Sequence, residues 1–284
     1  MTLLQVRQLR ASHRQRPVLQ GIDLNVDAGQ VVAIVGPNGC GKSTLLRCLA
    51  RLHRPDGGEI RLGGSPLWQL KPREVALRLA LLPQALTAPE GITVAALVRY
   101  GRHPHQGWFR QWSPGDDAAV RDAMTMTDTL HLAGARIDEL SGGQRQRCWL
   151  AMVLAQQTPL LLLDEPTSML DLGHQVDVLE CIRRLAAAGR SVVIVLHDLA
   201  AAARYADVLL VMREGRVIAQ GAPRDVVTPA LIRDVYGIEA AVLAAPGDGA
   251  PVVVPLGASA IAKQPAVPDT PAMLHAAQLE QEQR

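Results

Sequence analysis

Gly36-Pro37-Asn38-Gly39-Cys40-Gly41-Lys42-Ser43 follows a continuous apolar run, Val31 to Val35, and Thr44 then opens an apolar stretch that reads as a helix as far as Leu52. The spacing is G-x-x-x-x-G-K-[ST], set between a predicted strand and a predicted helix. Glycines let backbone N–H groups turn inward around a β-phosphate, and the positive end of the following helix adds to the attraction. Lys42 is placed to reach β- and γ-phosphates, and the Ser43 hydroxyl to ligate Mg2+. A glycine-rich turn that binds nothing is disfavoured by the full spacing in the required setting.

Upstream, residues 2–35 alternate apolar and polar positions around the turn Asp27-Ala28-Gly29, which predicts a β-rich N-terminal subdomain. Downstream, Pro55-Asp56-Gly57-Gly58 marks a turn and Glu59 to Leu62 a short strand. From about 86 to 157 the apolar spacing becomes helical, interrupted by a Trp/His/Pro-rich stretch from His103 to Pro114. This predicts a helical subdomain inserted between two halves of an α/β core. Leu160 to Leu163 and Ser191 to Leu196 read as parallel strands covered on both faces, with Gln175 to Ala188 as an amphipathic helix between them. Residues 1–240 are thus expected to form one α/β domain with a parallel, doubly wound sheet. Residues 241–256 read as a hairpin, and 257–284 as a mobile tail.

Leu163-Asp164-Glu165 sets two carboxylates at the end of a buried strand, where open α/β sheets bind ligands. Asp164 suits a direct or water-bridged Mg2+ contact, and Glu165 the base that polarises an attacking water. His197 ends the next buried strand, and Gln84 offers an amide to Mg2+ or water just before the helical region. Either alone is a weak signal; a histidine in that position is more often a satisfied core residue.

Composition bounds the rest. At 284 residues there is room for one α/β domain with a subdomain or tail, and not for two such domains. The net charge of +2 is too small to argue for nucleic acid as a general partner. Cys40, Cys48, Cys148 and Cys181 show no paired spacing and read as reduced thiols of a cytosolic protein. The N-terminus lacks an apolar leader, and no window approaches the ~18 apolar residues that span a bilayer. A soluble chain is expected, with any membrane-spanning part on another polypeptide.

Leu140-Ser141-Gly142-Gly143-Gln144-Arg145-Gln146-Arg147 opens a second helix, and so makes a second anion site at a helix N-terminus. One nucleotide does not need two such sites in one fold. The economical reading is that this one completes the pocket of a second copy, so that two copies sandwich two ATP molecules head to tail. With these residues the chain resembles ABC ATPases from residue 1 to about 240. Their motifs stand in the family's order: the phosphate loop, Gln84, the signature 140–144, Asp164 with Glu165, Ser168-Met169-Leu170-Asp171 and His197. The resemblance implies a P-loop NTPase core with an N-terminal antiparallel β-subdomain and the inserted helical subdomain. It also implies ATP hydrolysis across a homodimer interface, with Ser141 and Gly143 contacting the γ-phosphate held by the opposite subunit. Gly142, Gln144 and Asp171 belong to the same contact. One departure is that the aromatic residue the family stacks on adenine falls, by register with Pro17-Val18-Leu19, on His13 or nearby.

Residues 88–94, 101–106, 108–112, 154–159 and 204–207 resemble the ATPases of iron–siderophore importers, ferric enterobactin systems among them. The resemblance implies integral membrane permease partners and, indirectly, a periplasmic or lipid-anchored siderophore-binding protein. It implies a peripheral place on the cytoplasmic face of the inner membrane, and a groove edged by Gln84 to Val98, near His103 to Trp112, that receives a short permease helix. Haem, cobalamin or other metal-chelate importers are the alternative cargo classes. His103 and His105 read as a polar docking loop rather than a metal site, because no third ligand is near. Trp108 and Trp112 suit subdomain core or contact anchors. A DNA-repair or chromosome-tethering ATPase would need a long coiled coil where only about 100 residues stand. A translation ATPase would carry two cassettes in one chain, and a fused exporter would carry membrane spans.

Overall fold

Residues 2–14, 16–107 and 112–258 are described by the computed structural model. In chain order it runs β1 (Thr2–His13), β2 (Arg16–Asp27), β3 (Val31–Val35), α1 (Lys42–Leu49), β4 (Gly57–Leu62), β5 (Ser65–Pro66), α2 (Pro72–Ala76) and β6 (Leu79–Leu82). Then come α3 (Val94–Tyr100), α4 (Pro114–Met126), α5 (Gly142–Ala155), β7 (Leu160–Asp164), α6 (Leu172–Ala187), β8 (Ser191–Val195) and α7 (Leu199–Tyr205). β9 (Val208–Arg213), β10 (Arg216–Gly221), α8 (Pro223–Val226), α9 (Pro229–Tyr236), β11 (Ile238–Ala244) and β12 (Pro251–Ala258) follow.

The central sheet has the order β10-β9-β3-β8-β7-β6. All its pairs are parallel except β10 on β9, a short antiparallel edge added to the parallel sheet read from the sequence. Continuous apolar strands alternate their side chains between two cores. Val31, Ala33, Leu161, Leu163, Val192 and Ile194 face the helical side. Val32, Ile34, Leu160, Leu162, Val193 and Val195 face α1 and the N-terminal strands. Period-two alternation with both faces apolar is what a sheet covered on both sides demands.

The N-terminal strands form an antiparallel sheet of order β2-β1-β4-β5. Its inner residues, Leu4, Val6, Leu9, Ile22, Leu24 and Val26, share a core with Leu45, Leu46 and Leu49 of α1. On the other side α3, α4 and α5 make the helical subdomain. The sequence signals its starts: Thr93 Oγ1 accepts from Ala96 N–H at 3.3 Å, and Pro114 follows Ser113, whose hydroxyl bonds Asp116 at 2.7 Å. α3 and α5 close on one another at Gly101, where a Cβ would stand 2.1 Å from the Met152 carbonyl oxygen.

Several boundaries shift. α1 starts at Lys42 rather than Thr44, because Gly41, at φ 106, leaves the loop in a left-handed turn and lets the lysine be the first helical residue. α6 starts at Leu172 rather than Gln175, since the Asp171 carboxylate caps it. β11 and β12 pair antiparallel about the turn before Pro251. Trp108 and, from residue 259, the predicted tail lie outside the described residues. Trp112 packs against the helical core with the Arg99 guanidinium 4.8 Å from its ring.

Candidate active site

β3, β8, β7 and β6 are neighbours and parallel, so their C-terminal ends share one edge of the sheet. The chain leaving each strand brings one part of the site: residues 36–43 after β3, His197 after β8, Glu165 after β7 and Gln84 after β6. These groups meet around a cleft of about 380 Å³. Asn38, Gly39, Gly41, Lys42, Ser43 and Thr44 form one wall, Gln84, Glu165 and His197 the facing one, and Val18 closes the side. Ligand clefts take this size and mixed lining.

The loop is shaped by its glycines. At Gly36, φ is +145 and a Cβ would lie 2.0 Å from the Met212 carbonyl oxygen, so only glycine lets the chain leave β3 so close to β9. The Cys40 backbone N–H donates to the Pro37 carbonyl at 3.4 Å and closes the turn; Cys40 is 5% exposed, and Gly215 N–H donates to its carbonyl at 3.0 Å. Lys42 is buried, and among the described residues no carboxylate forms an ion pair with it. Its ammonium donates to the carbonyls of Gly36 at 2.8 Å and Pro37 at 3.0 Å. An ammonium has three donors, so one remains for a phosphate oxygen.

Both oxygens of Glu165 are engaged: Oε1 by His197 Nε2 at 2.6 Å and Oε2 by Gln84 Nε2 at 2.9 Å. The Glu165 backbone sits at φ 53, a left-handed conformation that costs a non-glycine residue about 1 kcal/mol. Such a strained turn points to a side chain whose direction matters. Asp164, one residue earlier, ends the strand and is 4% exposed. Burial pushes its carboxyl above the usual carboxylate range; the Ser43 hydroxyl, donating at 3.3 Å, opposes this, and the charge of Glu165 adds to it. A buried carboxylate beside a hydroxyl, with an amide on the same cleft, offers oxygen ligands of the kind a hard divalent cation takes. Asp164, Ser43 and Gln84 could hold one.

The remaining predicted residues lie apart from the cleft. Ser141 caps α5, its Oγ accepting from Gln144 N–H at 3.2 Å while Gln144 Oε1 accepts from Ser141 N–H at 3.1 Å. Gly142 and Gly143 rest on the segment before α6; a Cβ on Gly143 would come 3.2 Å from Leu170. The Ser141–Gln144 turn and Asp171 therefore belong to one continuous surface, on which Met169 and Leu172 are 68% and 78% exposed. His13 is exposed at the end of β1, opposite Arg16, and does not line the cleft. Val18, which the sequence reading used only for register, does. His105 bonds the Gln156 carbonyl at 2.7 Å, tying the loop after α3 to the end of α5.

Residues 19–168 match the ABC transporter family profile. The chain is 47% identical to the ferric enterobactin transport ATP-binding protein FepC of Escherichia coli (strain K12), over 90% of this chain and 95% of that one. It is also 47% identical to the hemin import ATP-binding protein HmuV of Streptomyces coelicolor, over 87% and 88% of the two chains. Among solved structures, a chain of a metal-chelate type ABC transporter in an inward-facing conformation superposes with a TM-score of 0.77 at 28% identity, covering 90% of this chain and 98% of that one. Strand-end chemistry, phosphate loop and relatives agree: the chain belongs to the ABC transporter family, as an ATP-binding, ATP-hydrolysing subunit.

Proposed function

We propose that this subunit hydrolyses ATP in the cleft at the ends of β3, β6, β7 and β8 to drive uptake of a ferric siderophore. It would act through a membrane-spanning permease, at the cytoplasmic face of a bacterial inner membrane. Among the described residues no helix is long and apolar enough to cross a membrane; in this reading the permease supplies the path for cargo. A periplasmic or lipid-anchored binding protein would deliver that cargo.

The observation that carries the chemistry is the double hold on Glu165. His197 and Gln84 fix both oxygens, yet a carboxylate has about four acceptor sites, so it can still take a hydrogen from water. Glu165 is then the base, and His197 and Gln84 set its direction beside the γ-phosphate. Lys42 and the loop N–H groups hold the β- and γ-phosphates, and Ser43, Gln84 and Asp164 would hold Mg2+. When bound, Mg2+ supplies positive charge at the phosphate oxygens. Ser141, Gly142, Gly143 and Gln144, away from their own cleft, complete the cleft of a second copy together with Asp171. For the permease, an apolar groove of about 490 Å³ runs beside α2 and the edge strand β6, between Leu52, Val75, Leu79 and Leu81. It offers a further seat for a short helix beside the groove edged by Gln84 to Val98.

The test is transport by the whole complex in vesicles. Iron-loaded siderophore should accumulate with internal ATP and fail to accumulate with Glu165→Gln. Uptake of haem but not of ferric siderophore would refute the cargo and support the haem reading, which the hemin-import relative favours.

A further inference from the structure

Asp171 receives two bonds on one oxygen from one residue. Its Oδ1 accepts the backbone N–H of His174 at 2.9 Å and meets the His174 ring Nδ1 at 2.8 Å. The first bond is the ordinary cap of a helix start, which leaves a carboxylate free to rock. The second removes that freedom. Oδ2 takes no donor from the described residues, and the side chain is 70% exposed.

Its surroundings are those of a contact face. Leu172 and Val176, on the same turns of α6, are 78% and 41% exposed, and Met169 precedes them at 68%. Exposed aliphatic side chains gathered around one carboxylate mark a surface that meets another. The face is rigidly joined to the signature turn, because Gly142 and Gly143 pack on Met169 and Leu170. The His174 backbone N–H first, and its ring with it, hold the Asp171 carboxyl below the usual range, and Arg147 of α5, paired with Asp128 at 3.1 Å, adds to this. Asp177 follows on the next turn of α6.

We infer that His174 is a positioning residue: by occupying Oδ1 it fixes Asp171 so that Oδ2 is presented to a second copy of this chain. Closure of the pair then depends on His174, and ATP binding by the single chain does not. This rests on the paired reading above. A hydrogen on Nδ1 lets the ring donate to Oδ1.

The experiment uses the full chain. ATP-driven pairing is followed by sedimentation in a Glu165→Gln background, and kcat and ATP affinity are measured with Glu165 intact. His174→Ala should lower kcat about tenfold and weaken pairing, while ATP affinity of the single chain changes less than about twofold. His174→Asn, whose amide can stand where Nδ1 stood, should return kcat to within about threefold of the parent. Unchanged kcat and pairing in His174→Ala overturn the inference. So does His174→Asn behaving like His174→Ala, or a loss of ATP affinity and melting temperature alongside kcat. If the Glu165→Gln chain fails to pair with ATP at all, the paired reading itself falls.

Discussion

Replacing Asp116 by alanine would open a buried ion pair that ties the helical subdomain together. Arg102 follows α3 and is 4% exposed; its Nε meets Asp116 Oδ1 at 2.8 Å. One guanidinium nitrogen also reaches the Ala155 carbonyl at 2.8 Å and Gln157 Oε1 at 2.9 Å, at the end of α5. Asp116 Oδ2 accepts from Ser113 N–H at 3.0 Å and from its hydroxyl at 2.7 Å. Three helices thus meet on two charges. Asp116→Ala leaves the guanidinium buried with two neutral acceptors, and breaking such a pair from one side costs about 3–5 kcal/mol. Arg102→Met should cost a similar amount. Arg102→Met with Asp116→Leu should cost clearly less than the sum, because no unpaired charge remains. Urea unfolding of the four proteins, read by circular dichroism, gives the cycle.

The pair also has a pH signature. The Ser113 hydroxyl first, and the Arg102 guanidinium with it, hold the Asp116 carboxyl down at about 2, against 3.8 for an ordinary aspartate. A folded-state value below the unfolded one contributes stability above the unfolded value and loses it as pH falls through the folded one. The difference between parent and Asp116→Ala should be flat from neutral pH down to about 5 and shrink between about 4 and 2. A cost under about 1 kcal/mol, the worth of an exposed pair, with additive single changes, would refute the reasoning.

Glu165→Gln keeps the side chain's shape and one acceptor oxygen but removes the base, so turnover should fall roughly 10²- to 10⁴-fold while ATP still binds; near-normal hydrolysis would demote Glu165. Gly101→Ala puts a methyl 2.1 Å from the Met152 carbonyl oxygen and should cost about 1–3 kcal/mol as α3 is levered off α5, measured by denaturant midpoint. His13→Ala tests the adenine contact read from the sequence: with Val18 rather than His13 on the cleft wall, ATP affinity should change by less than about threefold, and a tenfold loss would restore the stacking role.

The phosphate loop was legible because its spacing is chemistry written locally: glycines, lysine and serine act within eight consecutive positions, between a strand and a helix that declare themselves by apolar runs. Asp164 and Glu165 were legible for the same reason, standing at the end of Leu160 to Leu163. Gln84 and His197 were weak on their own, since an amide and a histidine occur everywhere. What joins them to Glu165 is the lateral order of four parallel strands, and strand order is a property of the sheet, not of any local window. The Arg102–Asp116 pair passed unread for a related reason. Both residues look like surface charges, and only the packing of α3, α4 and α5 takes them out of water.

The sequence by itself determined the phosphate loop, the acids, the class of fold and the family, because each rests on short-range pattern or on the order of motifs along the chain. Only the tertiary structure decided that Gln84 and His197 close on the two oxygens of Glu165, that Val18 closes one side of the cleft, and that Gly142 and Gly143 pack on Met169 and Leu170. Those are distances between residues far apart in the chain, and they are set by strand order and by which side chains the two cores can bury.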